Sequence, residues 1–219
     1  MNLKAVLFDM DGVIVNTEPL HKKSYFKTFD EIGIEVSEEL YSSLTGRATL
    51  KICEILCEKY QLKESPRDLL SKKQKHFEEV FKNDNDLSLI DGVRELIQDY
   101  TENGLTLVLA SSASMENIDR IFKKFELDPY FKAKISGADL KASKPHPEIF
   151  VRAAELAGQP KENCMVIEDS TNGIAAAHAA NIFCVGYKES ENSTQDYSKA
   201  DKVIRNLNEI KYSKLKTLF

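Results

Sequence analysis

The chain has 219 residues, of which 42% are hydrophobic and 30% are charged, and its formal net charge is −5. This balance is typical of a globular protein with an apolar core. Lysine and arginine are scattered among acids, which argues against a nucleic-acid partner, and no window approaches the ~20 apolar residues of a membrane span. We therefore expect a small-molecule partner, while the oligomeric state is unknown from sequence.

The N-terminus and the cysteines predict a cytoplasmic location. Residues 1–4 lead directly into the apolar run Ala5–Phe8 and then into charge, which leaves no room for the apolar stretch of a signal peptide. A chain of this size does not need disulfide staples. We therefore expect the four cysteines to be reduced: Cys53, Cys57, Cys164 and Cys184.

Short apolar runs alternate with helical patterns along most of the chain, which predicts an α/β fold with a parallel sheet. The predicted strands are 5–8, 105–110, 133–136, 164–167 and 183–185. The predicted helices between them are 92–103, 115–125, 147–157 and 172–180. Residues 189–196 are predicted to form a polar surface loop.

Residues 16–86 lack strand-like runs and are predicted to form an inserted helical domain, with 1–15 and 87–219 as the core. One helix is indicated by Ile52, Ile55, Leu56 and Tyr60, which share a face at the 3.6-residue period. Another is expected to begin at Ser65, which can cap it and is followed by proline and an acid in the first turn.

Two acids, Asp9 and Asp11, follow the first predicted strand. Residues two apart in extended backbone project to the same side, so both carboxylates can face one pocket. An aspartate can attack phosphorus while a second acid protonates the departing oxygen. The alternative is that these acids only cap the next helix.

Further polar groups follow other predicted strands. Ser111 ends one apolar run, where its hydroxyl and the next backbone N–H groups could hold phosphate oxygens. Glu168 and Asp169 end another, and ligands of open α/β sheets bind beyond the carboxyl ends of strands. With Asp9 and Asp11 they would bring a formal charge of minus four into one cleft, which calls for a cation such as Mg²⁺ and for Lys144.

The ordered set Asp9-Met10-Asp11-Gly12-Val13, Ser111, Lys144-Pro145 and Glu168-Asp169-Ser170 resembles the four motifs of the haloacid dehalogenase superfamily. The resemblance covers essentially the whole chain. It implies a Rossmann-like core, and the insertion after the first motif implies a helical cap as in the branch of beta-phosphoglucomutase and phosphoglycolate phosphatase.

The resemblance also implies roles for the core residues. Asp9 resembles the nucleophile and Asp11 the general acid/base, whose backbone carbonyl also binds Mg²⁺. Asp169 resembles a further metal carboxylate, and Glu168 the acid that supports the metal shell. The groups expected to bind the transferring phosphoryl are Ser111, Ser112 and Lys144. A second aspartate at Asp11 favours phosphate esters over dehalogenation.

The resemblance is weaker in the predicted cap than in the core. Thr17 and His21 match a hinge threonine and histidine of the mutase, although Thr17 would also cap a helix that opens at Glu18, and His21 is otherwise expected to be exposed. Arg47 resembles a residue that reads the distal part of the substrate. Lys73 matches a cap lysine, but its lysine-rich surroundings favour a solvated face.

Three functions remain open from sequence alone. The first is a Mg²⁺-dependent phosphatase of a small phosphorylated metabolite, such as a sugar phosphate. The second is a beta-phosphoglucomutase-like phosphomutase; against it, Thr49 stands where the mutase has an arginine, and no lysine closely follows Ser111. The third is a non-catalytic binding module, although all the motif residues are present.

Overall fold

The computed structural model describes residues 2–44, 49–84, 87–188 and 193–215. The chain forms two compact units. One unit comprises Met1–Asn16 with Ser88–Phe219, and the other comprises Thr17–Leu87. Among the helices of the described residues, none is long and apolar enough to cross a membrane.

The first unit is built on a parallel sheet of six strands in the order β3-β2-β1-β4-β5-β6. This is the strand order of a Rossmann fold, so the predicted fold class is confirmed. The strands are β1 (Ala5–Phe8), β2 (Thr106–Ser111), β3 (Phe131–Ser136), β4 (Cys164–Glu168), β5 (Phe183–Tyr187) and β6 (Lys202–Ile204).

Helices follow the strands of this unit as the alternating pattern predicts. They are α5 (Val93–Glu102), α6 (Met115–Lys124), α7 (Glu148–Ala157), α8 (Thr171–Ala179) and the short α9 (Tyr212–Leu215). The central strands β1 and β4 are buried along their whole length, because helices cover both faces of a parallel sheet and such strands read as continuous apolar runs. The four cysteines are free thiols, as expected.

A tight turn follows β1 and fixes where the chain leaves the sheet. The Met10 carbonyl accepts hydrogen bonds from the backbone N–H groups of Ile14 (2.8 Å) and Val15 (3.0 Å). The returning chain pairs with this turn, since the N–H of Ile90 donates to the carbonyl of Ile14 at 2.9 Å. The turn is therefore held within the same unit as the sheet.

The second unit is helical. Its helices are α1 (Glu18–Ile32), α2 (Glu38–Leu44), α3 (Thr49–Tyr60) and α4 (Pro66–Asn83). Ser65 caps α4 as predicted: its hydroxyl accepts from the N–H of Asp68, and the Asp68 side chain accepts from the N–H of Ser65. Thr17 is the N-cap residue of α1, but its side chain makes no capping hydrogen bond. Thr17 therefore occupies the predicted capping position, although its side chain does not supply the cap.

Candidate active site

The candidate site lies at the carboxyl ends of the neighbouring strands β2, β1 and β4. Asp9 follows β1 directly, Ser111 ends β2, and Glu168 ends β4. Strand β1 lies between β2 and β4, and its last residue, Phe8, is paired with Leu109 and Ile167. The sheet register therefore brings the predicted residues of three separate motifs to one edge, within one unit.

Lys144 connects two of the acids. Its Nζ lies 2.5 Å from Asp9 Oδ1 and 2.8 Å from Glu168 Oε1, and it donates to the Ala110 carbonyl at 3.0 Å. The Lys144 side chain is only 5% exposed, and its ammonium lies 4.9 Å from the centre of the Phe150 ring. Close carboxylates keep this buried lysine protonated and raise its pKa against the opposing effect of burial.

Glu168 is held in place by the turn that follows it. Its Oε2 accepts hydrogen bonds from the N–H (2.8 Å) and the hydroxyl (3.0 Å) of Ser170. The Ser170 hydroxyl in turn accepts from the N–H of Gly173 and so caps α8. A Cβ at position 173 would overlap the Glu168 carboxylate. Glycine is therefore required there for space, although it disfavours a helix interior.

Gly12 has a similar role beside Asp169. Its φ of +85° lies in the left-handed region, which glycine adopts without the steric cost of a side chain. A Cβ at this position would overlap the Asp169 carboxylate. Both glycines therefore let backbone approach an acid of the site.

The acids form a cluster that fits a divalent cation. Asp9, Glu168 and Asp169 each offer a carboxylate oxygen, and these atoms lie within 4.8 Å of one another. The pKa of Asp9 is raised to about 8, mainly by burial and also by the charges of Glu168 and Asp11, while Lys144 opposes the increase. Burial and the same acids also raise the pKa of Asp169. Ionising all these acids against one ammonium would leave an excess of negative charge, which a divalent cation would offset, and hard oxygen donors are those that Mg²⁺ prefers.

Asp11 lies near this cluster, but its carboxylate is not one of the three that form it. Its charge contributes to the raised pKa of both Asp9 and Asp169. The Asp11 side chain is half-buried.

The loop after β2 carries the predicted phosphate-binding serines. Ser111 is fully buried, and its hydroxyl accepts from the N–H of Ala113 at 3.1 Å. Ser136 holds the same loop by donating to the Ala113 carbonyl at 2.8 Å. Ser112 is exposed. The loop thus presents Ser112 at the surface and has a fixed backbone.

The predicted cap residues lie in the helical unit, and two of them contact each other. Lys73 Nζ lies 2.7 Å from Nδ1 of His21, which stacks on Phe77 with ring centroids 4.5 Å apart. Lys73 is 3% exposed and lies over the rings of Tyr25 and Phe77. The prediction of a solvated Lys73 is therefore wrong, because aromatic side chains cover the lysine. Arg47 lies outside the described residues.

The contact with Lys73 determines the tautomer of His21. An ammonium has only donors, so Nδ1 of His21 must accept. Burial and, to a smaller extent, the charge of Lys73 together lower the pKa of His21 to about 3. His21 is therefore a neutral imidazole whose proton is on Nε2, which makes Nε2 a donor.

Sequence reasoning missed several residues that build the site. Ser170 lies in the fourth motif, where the sequence assigns it no role, yet it binds Glu168 and caps α8. Gly173 stands inside the first turn of the predicted helix, but its close approach to Glu168 depends on the three-dimensional structure. Gln195, which binds the first residue of α8, falls in the predicted polar loop and gave no signal.

Comparison with known proteins agrees with this geometry. The family of haloacid dehalogenase-like hydrolases matches residues 6–187. A phosphorylated carbohydrates phosphatase of Thermotoga maritima is 30% identical over 184 residues, which cover 82% of each chain. The crystal structure of a beta-phosphoglucomutase from Clostridium difficile is 26% identical with a TM-score of 0.78 and covers 99% of this chain and 96% of that one.

A longer relative matches only in part. The chain is 32% identical over 191 residues to the chloroplastic protein SUPPRESSOR OF QUENCHING 1 of Arabidopsis thaliana. The match covers 85% of this chain and 18% of the plant protein. The family match itself covers most of the chain, including the acids after β1 and after β4. The chain therefore belongs to the haloacid dehalogenase-like hydrolases.

Proposed function

We propose that this protein is a Mg²⁺-dependent phosphatase of a small phosphorylated metabolite, such as a sugar phosphate, and that it works through an aspartyl-phosphate on Asp9. The similarity to a phosphorylated carbohydrates phosphatase supports the substrate class. The helical unit Thr17–Leu87 would act as a cap that selects the substrate. A cytoplasmic location remains a prediction.

The contact between Asp9 and Lys144 is the observation that carries the proposal. A carboxylate that only capped a helix would not need a buried ammonium at 2.5 Å. Lys144 lies between Asp9 and Glu168, so it can orient the nucleophile and also meet a phosphoryl oxygen. Such positioning and charge neutralisation are most of what phosphoryl transfer requires.

The first half-reaction would transfer the phosphoryl group to Asp9. A carboxylate oxygen of Asp9 attacks phosphorus and forms the new O–P bond, while the bond from phosphorus to the leaving alcohol oxygen breaks. Asp11 gives its proton to that oxygen. Lys144 and the backbone N–H groups after Ser111 stabilise the charge on the phosphoryl oxygens.

The second half-reaction would return the enzyme to its starting state. Asp11, now ionised, takes a proton from water as the water oxygen attacks phosphorus. The Asp9–phosphorus bond breaks and inorganic phosphate leaves. Asp9, Glu168, Asp169 and the Asp11 carbonyl would hold Mg²⁺, which when bound supplies positive charge to these carboxylates and to the phosphoryl group.

A phosphomutase is the second candidate, and the buried contact of Lys73 with His21 favours it. A neutral His21 that donates from Nε2 can bind a sugar hydroxyl. The likeness to the crystal structure of a beta-phosphoglucomutase points the same way. In this case a second sugar hydroxyl would replace water as the acceptor.

A panel of phosphorylated metabolites tests the proposal. Each ester is incubated with the parent protein and with Asp9→Asn, with and without Mg²⁺, and both phosphate release and isomerisation are counted. We expect Mg²⁺-dependent phosphate release by the parent alone. Isomerisation of beta-glucose 1-phosphate without phosphate release would favour the mutase, and inactivity of the parent on every ester would favour a binding module.

A further inference from the structure

We infer that Gln195 is a positioning residue for the metal-binding turn Glu168–Ser170, and that it acts through Thr171, the first residue of α8. This inference rests on the proposed function, because it needs Glu168 and Asp169 to bind Mg²⁺. Gln195 lies 24 residues beyond Thr171 in the chain, so the connection is made by the fold.

The contact of Gln195 with Thr171 is double. Oε1 of Gln195 accepts from the N–H of Thr171 at 2.7 Å and from its hydroxyl at 2.8 Å. The same hydroxyl accepts from the N–H of Asp196 at 2.8 Å. The N–H of Thr171 belongs to the first turn of α8, where backbone donors have no partner inside the helix. Gln195 therefore supplies a cap that Ser170 cannot supply, since the Ser170 hydroxyl is bound to Gly173.

The segment that carries Gln195 is fixed to the sheet beside Glu168. The Tyr197 hydroxyl contacts Ser193 (3.2 Å) and the Tyr187 carbonyl (3.4 Å). The Tyr197 ring packs so close to Gly186 that a Cβ there would lie 2.9 Å from it. Gly186 is the strand partner of Glu168. The segment therefore connects β5 to the start of α8 and holds the two in a fixed relative position.

These contacts hold both ends of the metal-binding turn. Its N-terminal end is fixed by β4, and its C-terminal end is fixed by the cap that Gln195 places on Thr171. Asp169 lies between them, with its carboxylate against Gly12. Without Gln195 the start of α8 would keep the cap by Ser170 and the contact of the Asp196 N–H with the Thr171 hydroxyl, but the Thr171 N–H would lose its acceptor. Asp169 would then lose part of its alignment with Asp9. Partners that orient a metal ligand typically change metal affinity or activity by about 10- to 100-fold.

Calorimetric Mg²⁺ binding by the full chain tests this inference independently of turnover. We expect Gln195→Ala to bind Mg²⁺ about tenfold more weakly than the parent, and the Mg²⁺ concentration for half-maximal phosphate release to rise in parallel. KM for the ester at saturating Mg²⁺ should change little. Gln195→Glu keeps an acceptor oxygen for Thr171 and should bind Mg²⁺ nearly as well as the parent.

Two further variants separate positioning from general stability. Ser65→Ala removes a helix cap in the other unit, so it should lower the melting temperature and leave Mg²⁺ binding unchanged. Thr171→Val removes the hydroxyl contacts to Gln195 and Asp196 and should weaken Mg²⁺ binding. It therefore tests the same connection in the case that Gln195→Ala does not fold.

The outcomes distinguish this inference from the proposed function. Folded Gln195→Ala and Thr171→Val proteins that bind Mg²⁺ like the parent would overturn the role of Gln195 alone. An equal loss of affinity in Ser65→Ala would also overturn it. A parent that binds no Mg²⁺ would instead contradict the proposed function.

Discussion

Replacing Lys144 with methionine removes the ammonium between Asp9 and Glu168 and keeps most of the side-chain volume. The Lys144 side chain is 5% exposed, and those of its two partners are 9% and 1% exposed. The substitution therefore leaves two buried carboxylates without their cation. Phosphate release should fall by about 10²- to 10³-fold, as when one group that stabilises transition-state charge is lost.

The stability effect follows from the same burial. Removing one partner of a buried ion pair costs about 3 to 5 kcal/mol. We expect the lower value, about 3 kcal/mol, because the carboxyl groups can take up protons and so relieve part of the charge. For a chain of this size the loss corresponds to a fall in melting temperature of about 6 to 12 °C.

Lys134 offers a matched control. It also lies between two carboxylates, Asp119 and Asp128, each at 2.7 Å, and its ammonium lies 4.9 Å from the centre of the Phe122 ring. Its partners, however, are 57% exposed. Water screens such pairs, so Lys134→Met should cost less than about 1 kcal/mol and leave phosphate release unchanged.

Thermal unfolding followed by circular dichroism at pH 8 in EDTA compares the two variants. Added Mg²⁺ should increase the difference in activity between Lys144→Met and Lys134→Met. It should reduce their difference in stability, because a cation at the carboxylates replaces part of the lost charge. If Lys144→Met lost no more stability than Lys134→Met, the reasoning from buried charge would be wrong.

Three other predictions follow from the site. Gly173→Ala should destabilise the fold by about 1 to 3 kcal/mol in urea denaturation, because the new Cβ overlaps Glu168. In EDTA the stability should fall as pH rises from about 4 to about 8, since folded Asp9 keeps its proton up to a pKa of about 8 and the unfolded chain does not. NMR should find His21 neutral from about pH 5 upwards, given burial beside Lys73 and a pKa of about 3.

Each of these has a result that contradicts it. Stabilisation by Gly173→Ala, as helix propensity alone predicts, would mean that Glu168 can move away without cost. A stability in EDTA that does not fall over the same pH range would contradict the raised pKa of Asp9 in the folded protein. A titration midpoint of the His21 ring above about pH 5 would place His21 in water rather than beside Lys73.

Apolar patterning was sufficient to predict five of the six strands of the sheet. Strand β1 was predicted with its observed bounds, and β2, β4 and β5 within two residues, because fully buried parallel strands give continuous apolar runs. Strand β6 was missed. It has three residues, two of them exposed, so no apolar run marks it.

Motif order was sufficient to predict which core residues come together, since the carboxyl ends of parallel strands meet at one edge. Contacts between distant segments could not be predicted. Lys73 lies in a lysine-rich stretch that reads as solvated, yet rings from α1 and α4 cover it. Gln195 looks like any polar loop residue, and its role depends on the start of α8.

Trapping of the phosphoenzyme tests the central claim most directly. The protein is mixed with Mg²⁺ and an ester that it turns over, and the reaction is quenched in acid. The protein is then digested, and the masses of its peptides are measured by mass spectrometry. We predict one added phosphoryl group on the peptide that carries Asp9 and none on the same peptide of Asp9→Asn. Phosphoryl label elsewhere in the parent, or turnover by Asp9→Asn equal to the parent's, would contradict Asp9 as the nucleophile.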